Sequence, residues 1–211
     1  MCKYTASAGQ LSSSCCMGYF CQMTPMPLPP HYLPSVHWWA QAVQQAGPSE
    51  RVLWLSTQVQ YEKQTPLSRT QIKTCNGVQT LVIPVRHHSR HQPLALAQPE
   101  DAQRWRQVHS RALQSAYGRC AYWEHYGPPL LATLAQADTL WALNEGLIQQ
   151  MATALGLGVQ AVAAPPAAIG CYVLPLYFQP FDAHVPGLSG LDLLMNTGPE
   201  ALRLLLQARA G

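Results

Sequence analysis

His109 is the residue whose surroundings best suit acid–base chemistry. On a helical wheel Ala102, Trp105, Ala112, Leu113 and Ala116 form an apolar stripe, and His109 falls inside it. An inward-facing imidazole must satisfy both ring nitrogens or lose their hydration. Its free pKa of about 6.5 suits it to move a proton near neutrality. The competing reading is a histidine held by a backbone carbonyl for structural reasons. Asp192 and Asn196 stand four apart after Ser189, so a helix there puts a carboxylate and an amide on one face. That pair could orient His109 or a substrate hydroxyl, and it could equally cap the following turn. Asp192 is the second catalytic candidate, and Asn196 a substrate contact.

Lys63, Gln64, Thr65 and Arg69 follow a strand-like run and precede a hairpin. Strand-end loops are where ligands gather in α/β folds. A lysine and an arginine there suit a phosphate, the arginine through its bidentate fork; a solvated basic loop has the same composition. Asn144 lies on the apolar stripe of its helix beside Leu143 and Leu147, and reads as a buried amide bracing a loop or as a substrate contact. The run Arg86-His87-His88-Ser89-Arg90-His91 offers His88 and His91 to a metal. No acidic or cysteine partner is near, and two arginines repel a cation, so an anion-binding surface loop is the better reading and no metal site is expected. Cys120 and Cys171 have nucleophilic side chains, yet nothing in the sequence places either beside a histidine. No Walker loop, GxGxxG, GxSxG or HExxH occurs. Nucleotide hydrolases, Rossmann dehydrogenases and serine hydrolases therefore lose their usual support, and no cofactor is expected.

These residues need elements to position them. Pro34 can open a helix, Val36, Trp39, Ala40 and Val43 continue it at helical spacing, and Gly47 ends it. Arg51 to Tyr61 alternates and reads as a strand. Thr70–Thr74 and Gln79–Val85 flank Asn76-Gly77, the strongest short hairpin signal. Helices are expected over Pro99–Tyr117, Pro128–Gln136 and Asp138–Leu155. The last has Leu140, Leu143, Leu147 and Met151 on one face. Ala161–Ala168 reads as a loop or weak strand and Cys171–Phe178 as a strand. Ser189 caps a short helix over Leu191–Asn196, and Pro199–Arg209 closes the chain as a helix, with Thr197 and Glu200 at capping-box spacing. The order predicts a mixed α and β fold: a small central sheet with a β-hairpin, packed by several helices.

Composition narrows the class further. The chain has 211 residues, which suits one domain. Only 11% are charged, against disorder and against a coiled-coil surface. A net charge of +3 is too weak to imply nucleic acid, and no apolar run reaches the ~18–20 residues of a membrane span. Of seven cysteines, Cys2, Cys15, Cys16 and Cys21 crowd a patternless start, and Cys75, Cys120 and Cys171 are scattered. Free thiols in a reducing, cytoplasmic setting are the expectation. Residues 1–25 read as a disordered tail or an upstream extension before the real start, and 26–211 as a single domain.

Several segments, in order, resemble the WbqC-like family. They are His31-Tyr32-Leu33-Pro34-Ser35 with Trp38-Trp39, Tyr61-Glu62-Lys63-Gln64-Thr65 with Arg69, and the hairpin from Asn76-Gly77-Val78 to Ile83-Pro84-Val85. Trp105 with His109 leads to Gln114-Ser115-Ala116-Tyr117; Leu143-Asn144 and Leu188-Ser189-Gly190-Leu191-Asp192 complete the set. The resemblance departs at Pro66-Leu67-Ser68-Arg69, where the family pattern has Arg-Asn-Arg and only the last arginine remains, and at the proline-rich opening strand. It implies bacterial surface-polysaccharide (O-antigen) biosynthesis, with nucleotide sugars or aminosugars as the small-molecule partner. It places His31, Tyr32, Tyr61 and Tyr117 among substrate contacts. Acyl or aminoacyl transfer to the amino group of a nucleotide-linked or lipid-linked sugar, with His109 as base and Lys63 and Arg69 on phosphate or carboxylate, is the chemistry these residues permit. A non-catalytic binding or assembly protein is the alternative, and a metal-dependent hydrolase using His88 and His91 the remote one.

Overall fold

The computed structural model describes residues 26–47, 51–100, 102–181 and 184–211; the expected extension over residues 1–25 lies outside them. Proline fixes φ and lacks an N–H, so Pro27 to Pro30 enters no full ladder, and the chain then bends at Tyr32 and Leu33, where Leu33 takes a φ of +42°. What remains of an opening strand is one parallel bridge. The Leu28 N–H donates to the Trp54 carbonyl at 2.8 Å, and the Ser56 N–H donates to the Leu28 carbonyl at 3.0 Å. Ser35, not Pro34, then starts helix α1 (Val36–Ala46), its Oγ accepting from the Trp38 N–H.

Strand β1 (Val52–Ser56) is shorter than its alternating sequence suggests. Ser56 turns its hydroxyl back on the chain, donating to the Ala164 carbonyl and accepting from the Gln58 N–H, and the ladder stops there. The hairpin joins β2 (Arg69–Thr74) and β3 (Gly77–Val82), antiparallel, with Thr74 opposite Gly77. Its two loop residues are therefore Cys75 and Asn76, one position earlier than the Asn-Gly signal implies. Positive φ, +104°, falls on Gly77, where no Cβ opposes it. Pro84 has no N–H to give, so β3 ends at Val82 instead of running to Val85.

Helix α2 (Ala102–Tyr117) follows, then α3 (Trp123–Gln136), which begins well before Pro128. Pro128 and Pro129 are tolerated inside α3 because both are exposed, leaving the carbonyls they cannot serve to water. Helix α4 (Leu140–Ala154) is capped by Thr139 and buries Leu140, Leu143, Leu147 and Met151 on one stripe. Strand β4 (Gly158–Val162), of which the sequence suggests at most a weak trace from Ala161, pairs parallel with β1. Strand β5 is only Tyr172–Val173, because Pro175 and Pro180 interrupt the run that follows. Ser189 caps α5 (Gly190–Thr197) as expected. Helix α6 (Glu200–Leu206) has Pro199 at its N-cap. The expected capping box is absent: the Thr197 hydroxyl donates to the Leu193 carbonyl and Glu200 pairs with Arg203. Strand β6 (Arg209–Ala210) pairs with β5.

The fold is mixed α and β. Among the described residues its strands form three two-stranded ladders, β1 with β4, β2 with β3 and β5 with β6, with helices packed against them. One apolar cluster links them, with Trp38, Trp39, Leu143, Ile148, Leu191 and Met195 at most 1% exposed. Gly190 lets α5 approach α1: a Cβ there would stand 2.2 Å from the Trp39 ring. Its N–H donates to the Pro34 carbonyl at 2.7 Å, tying α5 to the proline-rich entry.

Candidate functional site

Hydrogen bonds to backbone carbonyls bring distant segments to one place. The Tyr32 N–H donates to the Pro66 carbonyl at 2.9 Å, the Thr70 hydroxyl to the Leu33 carbonyl at 2.9 Å, and the Ser189 N–H to the Gln71 carbonyl at 2.9 Å. Between these segments lies a cavity of about 510 Å³. Four expected substrate residues line it: His31, Tyr32, Gln64 and Arg69. Arg69 is partly exposed, but its Nε is buried and makes no hydrogen bond. A guanidinium atom left dry and unpartnered is costly and invites an acceptor. Burial lowers the His31 pKa to about 4, so that ring is neutral at physiological pH.

His37, which the sequence reading passes over, also lines the cavity. Its Nδ1 accepts from the Tyr172 N–H at 3.2 Å, which places the proton of the neutral ring on Nε2. Its only signal in the sequence is that it is the one polar residue in an otherwise apolar first turn of α1. Asn144 holds the cavity together from behind. It is fully buried, and its Nδ2 donates to the carbonyls of Pro30 at 2.8 Å and Leu67 at 2.9 Å, bracing the segment that carries His31 and the loop that leads into Arg69.

The remaining candidates fall elsewhere. Lys63 is exposed and outside the lining. The Thr65 hydroxyl donates to the Glu62 carbonyl and shapes the loop, in which Gln64 takes a φ of +64°. Tyr61 is a core residue, its backbone paired with Gln92 and His91.

His109 is 3% exposed and stands behind the cavity. The Tyr32 hydroxyl bonds its Nδ1 at 2.9 Å, the Val82 backbone bonds the ring as well, and Trp105 packs edge-on. Burial lowers its pKa to about 4, and the Val82 bond only partly opposes this. Asp192 lies in a different cluster. Fully buried, its Oδ2 accepts from the Tyr177 hydroxyl at 2.9 Å, and Gln179 Nε2 donates to that same hydroxyl at 2.8 Å. Desolvation raises the Asp192 pKa; Tyr177, Tyr117 and the charges of Lys73 and His184 pull it back. Tyr117 stands close enough to influence the carboxylate, yet its hydroxyl and Asp192 Oδ1 form no well-aligned hydrogen bond. Asn196 donates to the Asp192 backbone carbonyl at 2.8 Å and accepts from Cys120 Sγ at 3.3 Å, so it braces α5. Burial, then the Asp192 charge, pushes the Cys120 thiol up to about 11. Asp192 thus has Tyr177 as its partner, and His109 has Tyr32 and Val82.

Among the described residues no three His, Cys, Asp or Glu side chains gather as a metal site; the His88 side chain lies outside them. Cys75, Cys120 and Cys171 carry free thiols. No helix among the described residues is long and apolar enough to cross a membrane.

The family model of the WbqC-like proteins matches residues 30–169. The chain belongs to the WbqC-like protein family. The matched stretch holds every cavity residue up to Ile169, together with His109, Tyr117 and Asn144; the strap from Cys171 to Gly187 and helix α5 follow it. In this WbqC-like protein Leu67, at the position of the first pattern arginine, is 6% exposed and packed into the core. No curated protein and no solved structure matches the chain.

Proposed function

We propose that this WbqC-like protein binds an anionic sugar derivative in the Arg69 cavity, as a cytoplasmic component of bacterial surface-polysaccharide biosynthesis. Residues 26–211 act as one domain in this reading. The observation that carries it is the buried, unpartnered Nε of Arg69 in a cavity that also gathers His31, Tyr32 and Gln64. Phosphate or carboxylate is the group a guanidinium engages most strongly. The cavity volume suits a sugar-sized ligand, since small-molecule sites run from about 300 to 1,000 Å³. The pathway comes from the family resemblance alone.

The second reading adds catalysis, an acyl or aminoacyl transfer to the amino group of a bound aminosugar. It is favoured by Tyr32, which lines the cavity and bonds His109, a route for a proton from the ligand to the imidazole. The low pKa of His109, about 4, weighs against it, because the imidazolium formed would be poorly solvated.

Thermal-shift titration with nucleotide sugars, aminosugars and aminosugar phosphates tests both. A ligand that binds only the folded state raises Tm with its concentration. The binding reading expects a hit that Arg69→Ala abolishes and His109→Gln keeps. A hit untouched by Arg69→Ala, or no hit from any of these classes, removes it. Turnover of an acyl donor that His109→Gln abolishes, with ligand binding intact, establishes the second reading.

A further inference from the structure

The strap between Cys171 and Gly187 walls the cavity with its two ends. Its middle has another character. Tyr177 and Gln179 turn inward, to Asp192 and to the Val185 backbone. The outward positions are apolar: Val173 is 64% exposed, Leu176 80%, Phe178 74% and Phe181 45%. A single exposed apolar side chain needs no explanation, but such a group within one loop marks a contact surface. Asp182 is the only Asp, Glu, Lys or Arg between Ala163 and Leu191, so the strap offers little to a polar partner.

The row has a direction. It starts beside Cys171 at the cavity rim. At its far end the Phe181 carbonyl accepts from Lys73 Nζ at 3.1 Å. Lys73 and Arg69 lie on the same strand, and four residues of strand span roughly 13 Å. The apolar row therefore starts at the cavity rim beside Cys171 and ends at Lys73, farther along β2 than the arginine.

We propose that the ligand of the Arg69 cavity is an amphiphile, with an anionic head such as a phosphate ester on Arg69 and a long apolar chain lying on Val173, Leu176, Phe178 and Phe181. The inference rests on the anion-binding reading of the cavity and deepens it. A nucleotide-linked sugar is polar at both ends and would leave the row in water. A lipid-linked sugar phosphate matches both the cation in the cavity and the apolar surface that continues from it.

Calorimetric titration of the full chain with three probes tests this: inorganic phosphate, n-decyl phosphate below its micelle threshold, and n-decyl glucoside, whose head is neutral. Decyl phosphate is expected to bind at least about tenfold more tightly than inorganic phosphate, because several methylenes leave water. Decyl glucoside is expected to bind more weakly than decyl phosphate. In a Leu176→Ser, Phe178→Ser double variant, inorganic phosphate binds as before and the gain from the chain disappears. Both positions are exposed, so an unchanged Tm is expected for that variant. Equal affinity for the two phosphates, or a gain that survives the double variant, overturns the amphiphile and leaves the cavity reading standing. Phosphate binding undiminished in Arg69→Ala overturns the cavity reading, and the amphiphile with it. A concentration-dependent dimer that the double variant dissociates, with no gain from the decyl chain, assigns the row to a second copy and also overturns the proposal.

Discussion

The Tyr32 hydroxyl and His109 Nδ1 meet at 2.9 Å, across 77 residues of sequence, with both side chains buried. The bond suits a neutral imidazole that accepts at Nδ1 and carries its proton on Nε2. Removing the hydroxyl with Tyr32→Phe takes away a donor that favours the neutral ring. The His109 pKa is expected to rise only slightly, because burial, the main cause of its shift to about 4, remains, and stability to fall by about 1 kcal/mol. Titration of the His109 ring signals by NMR, beside a denaturation curve, reads both. An unchanged ring titration would mean that the bond does not hold the tautomer.

His109 also sets a pH dependence. Its folded pKa lies below its unfolded value, so the unfolded chain binds the extra proton. The stability it contributes is fully present above about pH 6.5 and is lost as pH falls toward about 4, by about 1.4 kcal/mol per unit within that window. His31 shifts in the same direction for the same reason, burial. Urea denaturation between pH 7 and pH 4 should show a steep loss that flattens in His109→Gln. Equal slopes in both proteins would show that the ring is solvated enough to protonate in place.

Asp192 works with the opposite sign. Burial raises its folded pKa, so its favourable contribution is present at low pH and declines as pH rises through the folded value. Tyr177 limits that decline by donating to Oδ2. Tyr177→Phe leaves the second carboxylate oxygen without its donor and should cost about 1–3 kcal/mol at neutral pH, and less in acid. Denaturation of the variant at two pH values checks it, and a cost that does not shrink in acid would mean that the bond matters little to the ionised form.

Asn144 predicts a purely structural effect with a functional consequence. Its amide is the donor for both Pro30 and Leu67, inside the core. Asn144→Ala leaves two buried carbonyls unpaired and should cost about 2–3 kcal/mol. Because those segments carry His31 and lead into Arg69, ligand affinity should weaken with it. Loss of stability with full affinity would show that the cavity walls are set by other bonds.

Local chemistry made part of this legible before the structure. Asn76-Gly77 marked the hairpin because left-handed backbone there needs glycine, and Ser189 marked the start of α5 because its side chain serves a free N–H. The inward faces of His109 and Asn144 followed from helical spacing. What spacing does not encode is which loop lands on which. Arg69 joins His31 and Tyr32 through the Tyr32–Pro66 backbone bond and the Thr70 hydroxyl on the Leu33 carbonyl, over intervals of 34 and 37 residues, with Asn144 bracing both sides. The Tyr177–Asp192 pair comes from an irregular strap without periodicity, and α5 buries Asp192 away from His109 for the same reason.

Leu67 gives a last test, of why this chain departs from the arginine of the family pattern. The side chain is 6% exposed and belongs to the apolar core, while its carbonyl is held by Asn144. A guanidinium placed there would be buried without a carboxylate partner. Leu67→Arg should therefore lower stability by more than about 2 kcal/mol, whereas Leu67→Met, which keeps the volume, should cost less than about 1.5 kcal/mol. Denaturation of both variants, with phosphate titration of the arginine one, separates the possibilities. A stable Leu67→Arg protein that binds phosphate more tightly would show that the position swings into the cavity, and that the packing seen here is one of two arrangements the loop can take.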